Sequence, residues 1–170
     1  EEDTGIIDVD LYSDGKYWDL LYMPGGGARH PATHETVDQK LHFARMKGNE
    51  VFKVAVRMFV ECTERILSRN GFTADDVSLF IPHQANFRII DAVGERLGLP
   101  RERVYVNIER YGNTSSASIP IALDECVRAG RLKPGHKLAL AAFGGGATWG
   151  GTSMTWTLPV AKATRARAVP

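Results

Sequence analysis

Between Asn49 and about Arg69, one apolar stripe constrains the fold more than anything else in the chain. Val51, Ala55, Met58, Phe59, Cys62 and Ile66 recur at three- and four-residue steps, the spacing of one face of an α-helix. Such a face needs a partner surface to bury it. The runs that follow supply strands at Val77 to Ile81, Val104 to Ile108, Lys137 to Phe143 and Thr148 to Leu158. Asn70-Gly71 stops the first helix. Phe87, Ile90, Val93 and Leu97 mark a second helix ending at Gly98. A third starts near 114–116 and runs to Ala129, with Gly130 as its stop and Pro120 early in it, where a missing amide does little harm. Upstream, Gly5 to Tyr12 and Leu20 to Met23 read as strands joined by Ser13-Asp14-Gly15-Lys16, a hairpin signal. Pro24-Gly25-Gly26-Gly27 then breaks regular structure, and the stretch to about Leu41 reads as irregular. Helices alternating with strands, closed by two adjacent strands, indicate an α/β fold: a mixed β-sheet with helices on its faces.

We expect one domain over residues 1–160 and a basic, flexible tail over 161–170. The abrupt start, Glu1-Glu2-Asp3-Thr4, reads as a cut inside a longer protein. Lys plus Arg total 21 against 20 Asp plus Glu, a balance that gives no electrostatic reason to expect a nucleic-acid partner. Cys62 and Cys126 are too few and too far apart for a disulfide framework or a zinc site. We expect no signal peptide, no membrane span and a cytoplasmic setting, since no run approaches the roughly 18 apolar residues a span needs.

In open α/β sheets, sites collect where strands end and the chain turns into the next helix. Three turns carry unusual residues: Pro82-His83-Gln84-Ala85-Asn86 after a strand, Tyr111-Gly112-Asn113-Thr114-Ser115 leading into the third helix, and Phe143-Gly144-Gly145-Gly146 between the closing strands. Taken singly, each has a plain structural reading. A His after a strand caps the next helix, an Asn after Gly is a common turn residue, and three glycines mark a tight bend. Taken together they form a chemical kit. A neutral imidazole and a carboxamide both donate to a thioester oxygen, and a glycine amide approaches a reacting carbonyl closely. The kit has no nucleophile. His30 and His34 have a metal-like spacing, but Pro31 argues against a regular helix there, and we expect no metal site.

Met46-Lys47-Gly48-Asn49-Glu50-Val51-Phe52-Lys53-Val54-Ala55-Val56, the Pro82 to Arg88 segment, Gly112 to Ser115 and Phe143 to Gly151 resemble β-ketoacyl-acyl-carrier-protein synthase III, in that family's order and spacing. The resemblance runs from about Gly5 to Trp156. It implies the C-terminal half of a thiolase-like fold, in which two related α/β halves stack as five layers. It also implies a decarboxylative Claisen condensation of acyl-CoA with malonyl-acyl carrier protein to start fatty-acid synthesis. By resemblance, His83 and Asn113 are two members of a Cys-His-Asn triad, and Gly145 supplies a backbone amide to the oxyanion hole. Gln84, Ala85, Asn86, Phe87 and Arg88 resemble the carrier-protein-binding stretch, with Arg88 meeting an acidic helix. Gly48, Phe52, Ala85 and Asn86 fall where the family lines its CoA and pantetheine channel. The resemblance implies no cofactor, only the substrates acyl-CoA and malonyl-acyl carrier protein, and a homodimer for the complete enzyme.

One departure is large. The family's triad cysteine lies in its N-terminal half, in an Ala-Cys-Ala-Gly-like context that does not occur in this chain. Cys62 sits on the apolar stripe and Cys126 inside the third helix, so both read as structural thiols. The chain alone is therefore expected to be inactive in condensation, working only with an N-terminal half bearing the catalytic cysteine. Two alternatives stand beside this reading: a non-catalytic carrier-protein or CoA-binding module, and a thiolase-fold acyltransferase that forms no carbon–carbon bond.

Overall fold

The computed structural model describes residues 4–159, so the expected tail over 161–170 lies outside the described residues. Its centre is a four-stranded sheet. Strand β1 (Gly5–Ser13) forms one edge. Two short strands, β2 (Leu21–Tyr22) and β3 (Arg45–Met46), pair antiparallel as a separate ribbon. Between them lies helix α1 (His34–Asp38), and after them the long helix α2 (Gly48–Arg69). Then follow β4 (Val77–Pro82), α3 (Phe87–Arg96), α4 (Ile108–Tyr111), α5 (Ser118–Arg128), β5 (Lys137–Gly144) and β6 (Thr148–Thr155). The sheet order is β1-β6-β5-β4, with β4 and β5 parallel and the other neighbours antiparallel. The expected mixed sheet is present.

Helix α2 buries the stripe read from the sequence: Val51, Ala55, Met58, Phe59, Cys62 and Ile66 all face inward. It covers the sheet face on which Ala139 and Ala141 of β5 sit, and α3 adds Ile89, Val93 and Leu97 to the same cluster. Each fully buried side chain of this size contributes roughly 1.5–3 kcal/mol, which holds α2 to 22 residues where its neighbours are short. On the opposite face, α5 sets Ala122 and Cys126 against Leu79, Ile81 and Leu138. That cover stops short of the β1 edge. Leu11, which points to this second face, is 83% exposed, and Ile6 and Val9 are exposed as well.

Three expectations are corrected. The strand at Leu21–Tyr22 does not form a hairpin with β1, which pairs instead with β6 from Gly5↔Thr155 to Ser13↔Thr148. The cause is Asp14. Its carboxylate accepts from the Lys16 amide and caps a short 3₁₀ turn over Gly15–Tyr17, so Asp-Gly begins a helical turn, and Gly15 has no need of the positive φ a two-residue hairpin demands. Nor is 104–108 a strand. Val104 makes only an isolated bridge to Phe80, and Ile108 already begins α4. Here a side chain replaces the ladder: the Gln84 amide donates to Tyr105 O at 3.1 Å and accepts from Asn107 N at 2.9 Å. The stretch read as irregular also contains α1, held by reciprocal Thr33 and Thr36 hydroxyl bonds to each other's backbone amides.

Candidate active site

His83 follows directly on β4, and its backbone amide donates to Ala141 O at 2.8 Å, which continues the parallel pairing with β5 one residue past the strand. The ring is thereby carried to the uncovered side of the sheet. An open cleft of about 650 Å³ lies there, floored by Leu140, Ala142 and Gly144 of β5 and Thr148, Gly150 and Thr152 of β6. Ser115, Ser116, Ser118 and Ile119 form its wall at the start of α5, and His83 stands between wall and floor. Strand alternation places these floor residues on one face, the face opposite α2.

Burial lowers the His83 pKa below its ordinary value of 6.5, so the ring is neutral at pH 7. This has a measurable consequence. Below pH 6.5 the unfolded chain takes up a proton that the folded ring resists, so His83 leaves stability intact above pH 6.5 and erodes it as the pH falls through and beneath that value. In His83→Gln, urea unfolding should lose this part of the acid-side slope below pH 6.5. An identical slope in both proteins would show that the ring titrates as it does in the unfolded chain.

Asn113 occupies an exposed turn after Gly112, whose φ of 67° is left-handed and suits glycine. Its Oδ1 accepts from the Ser115 amide at 2.9 Å, and among the described residues Nδ2 has no hydrogen-bond partner. Asn113 is two residues from the cleft wall but is not itself among the residues lining it. Gly145 stands in a similar relation: Gly144 lines the cleft, while Gly145 is exposed at the bend next to it. A Cβ at Gly145 would lie 3.0 Å from Leu21 O, so the β2 ribbon's close approach favours glycine. The structure thus brings His83 together with the neighbours of Asn113 and Gly145.

The 84–88 segment divides by exposure. Gln84 is 1% exposed, and its amide bonds Pro82 O, Tyr105 O and Asn107 N, so it is an internal strut and not part of a landing surface. Ala85 is half-buried, and Asn86 caps α3 by accepting from the Arg88 amide. Phe87 and Arg88 are exposed, and the Arg88 guanidinium lies 5.4 Å from the centre of the Phe52 ring. Gly48 opens α2 one turn before Phe52. Both thiols lie inside the core, where burial pushes Cys62 and Cys126 each up to about 11. Neither is poised as a thiolate nucleophile. His34 opens α1 while His30 precedes it, so the two do not share a helix face.

Two residues escaped the sequence reading. The Ser118 hydroxyl sits 2.6 Å from His83 Nδ1. Glu125 of α5 accepts from Tyr105, Asn107, Arg110 and Tyr111, tying down the segment that leads into the Asn113 turn. A hydroxyl or carboxylate inside a helix has no sequence signature that would set it apart from a solvated face.

Comparison with known proteins places this geometry. A family model described as 3-oxoacyl-acyl-carrier-protein (ACP) synthase III C terminal matches residues 67–156. A β-ketoacyl-acyl-carrier-protein synthase III of Natranaerobius thermophilus is 50% identical over 156 residues, which are 92% of this chain and 47% of that protein. The crystal structure of 3-oxoacyl-acyl-carrier-protein synthase III from Aquifex aeolicus VF5 superposes with a TM-score of 0.78 at 42% identity, over 92% of this chain and 46% of the other. The corresponding Pseudomonas aeruginosa PAO1 enzyme gives 0.82 at 39% identity, over 95% of this chain and 47% of the other. The chain spans about half the length of the curated relatives it matches. Its fold is one half of a thiolase-like architecture, as the sequence motifs imply. On a family-model match that extends over more than half of its residues, the chain belongs to the 3-oxoacyl-acyl-carrier-protein synthase III C-terminal family.

Proposed function

We propose that this chain is the C-terminal half of a β-ketoacyl-acyl-carrier-protein synthase III and supplies the decarboxylation machinery of a cytoplasmic condensing enzyme. The observation that carries the reading is a neutral, half-buried imidazole held at the mouth of an open cleft, with both thiols of the chain locked in the core. Such a site is suited to stabilising a negative oxygen and unsuited to forming a thioester.

The chemistry follows from the donors. His83 Nε2 and Asn113 Nδ2 hydrogen-bond the malonyl thioester oxygen. The malonyl carboxylate leaves as carbon dioxide, and the electron pair of the broken carbon–carbon bond passes into an enolate whose oxygen those donors hold. The enolate carbon then attacks an acyl-cysteine carbonyl contributed by the N-terminal half. The Gly145 amide meets the oxygen of that tetrahedral intermediate, and the cysteine leaves as its thiolate. Acyl-CoA and malonyl-acyl carrier protein are the substrates, and no cofactor is needed. Carrier protein lands on Phe87 and Arg88, whose exposure and positive charge fit an acidic helix, and pantetheine passes Gly48, Phe52, Ala85 and Asn86. The N-terminal half covers the open sheet face around Leu11, and the whole enzyme forms a homodimer.

The test mixes this chain with the N-terminal half of a family member and follows carbon dioxide release and β-ketoacyl product. Condensation should occur in the mixture and in neither half alone. Arg88→Glu should raise KM for malonyl-acyl carrier protein several-fold while leaving decarboxylation of malonyl-CoA, which has no carrier protein, nearly unchanged. Turnover by this chain alone, or a formed complex with no turnover, would remove the proposal.

A further inference from the structure

We propose that Ser118 is a positioning residue that fixes the neutral His83 ring with its proton on Nε2, the nitrogen offered to the cleft. The ring has one proton to place, and its partners decide where it goes. Nδ1 lies 2.6 Å from Ser118 Oγ. The same oxygen receives the backbone amide of Gln84 at 3.2 Å. Ser118 is 2% exposed, so water does not compete.

A hydroxyl has one proton and two lone pairs. If Nδ1 carried the ring proton, Ser118 Oγ would accept from both His83 and Gln84, and its own proton would need an acceptor elsewhere. Among the described residues, no further hydrogen-bond partner of Ser118 Oγ is found. That arrangement buries a donor without a partner, which folded proteins avoid. With the proton on Nε2 every group is satisfied: Gln84 N–H donates to Oγ, and Oγ–H donates to Nδ1. Among the described residues, Nε2 has no hydrogen-bond partner, so it is the ring's donor at the cleft. In the other tautomer a lone pair would face the cleft and repel a developing oxyanion. The tautomer rests on these contacts alone, and its catalytic consequence rests on the function proposed above.

Ser118 is the first residue of α5, so the helix that walls the cleft also sets the ring's polarity. The experiment labels the full chain with ¹⁵N-histidine, records long-range ¹⁵N–¹H correlations of the rings, and assigns His83 by the signals lost in His83→Ala. Wild type should show a protonated Nε2 and an unprotonated, hydrogen-bonded Nδ1. In Ser118→Ala the Nδ1 signal should move towards that of an unbonded nitrogen as the Nδ1–H form gains population, and Ser118→Thr should return it towards wild type. A wild-type ring protonated on Nδ1 overturns the proposal whether or not the variants fold, and so does a ring spectrum unchanged in folded Ser118→Ala. In the two-half enzyme, Ser118→Ala should lower kcat for decarboxylation with little change in KM. Should the mixture show no activity, the spectra still decide the tautomer, so failure of the functional reading is distinguishable from failure of this one.

Discussion

His83→Ala, in enzyme assembled from both halves, is expected to slow malonyl decarboxylation by about 10²- to 10³-fold, the usual effect of deleting one donor to a developing oxyanion. The argument is electrostatic. The thioester oxygen carries a small charge in the ground state and nearly a full one in the enolate, so a fixed donor stabilises the transition state far more than the bound substrate. A neutral ring is the right donor here, because burial already disfavours the imidazolium at His83. Asn113→Ala should act on the same oxygen with a similar loss. The double variant should lose less than the product of the two, since one oxygen cannot be stabilised independently by each donor. On the proposed mechanism, transfer of the acyl group from acyl-CoA to the cysteine of the other half precedes this step and serves as the control. It should be nearly unaffected. Carbon dioxide release from malonyl thioester measures the loss, and unchanged release in both single variants would sink the mechanism.

What the sequence disclosed, and what it hid, follows from where each signal resides. The α2 stripe from Val51 to Ile66 is local and periodic, and those side chains are buried as expected. Strands β4 and β5 were legible for the same reason, as apolar runs bounded by turns. The 104–108 segment is apolar too, yet it is not a strand, because the decisive partner is the Gln84 side chain some twenty residues earlier in the chain. Asp14-Gly15 misled for a related reason: the same two residues serve a hairpin or a helix cap, and only the pairing of β1 with β6 distinguishes them. The place of His83 in the cleft was legible because the end of a β-strand is where sheet geometry exposes a side chain. The roles of Ser118 and Glu125 were not, since they arise from contacts between α5 and residues 83 and 105–111, which no periodicity encodes.

Glu125→Ala should destabilise the fold by about 2–4 kcal/mol, and most of the lost order should fall on the segment that presents Asn113. The carboxylate is 16% exposed and gathers one neighbourhood. Oε2 accepts from Asn107 Nδ2 at 2.7 Å and from the Tyr105 hydroxyl at 3.0 Å, while Oε1 accepts from the Tyr111 hydroxyl at 2.8 Å and pairs with Arg110 at 2.7 Å. Arg110 and Tyr111 are exposed and would turn to water at little loss. Asn107 and Tyr105 are buried, and their orphaned donors account for the larger share of the effect. Burial raises the Glu125 pKa, but the bonds from Asn107, Tyr111 and Tyr105 and the Arg110 charge outweigh it and hold the group below the ordinary 4.5. Its stabilisation is therefore complete above pH 4.5 and is lost as the pH falls through the folded-state value. Glu125→Gln keeps one acceptor and should lie between wild type and Ala, without that acid-limb dependence. Urea unfolding gives the magnitude and amide hydrogen exchange the location: protection over residues 105–115 should fall before that of α2. A Glu125→Ala protein within about 0.5 kcal/mol of wild type, with exchange over 105–115 unchanged, would mean that the Asn113 turn is held by its own backbone and not from α5.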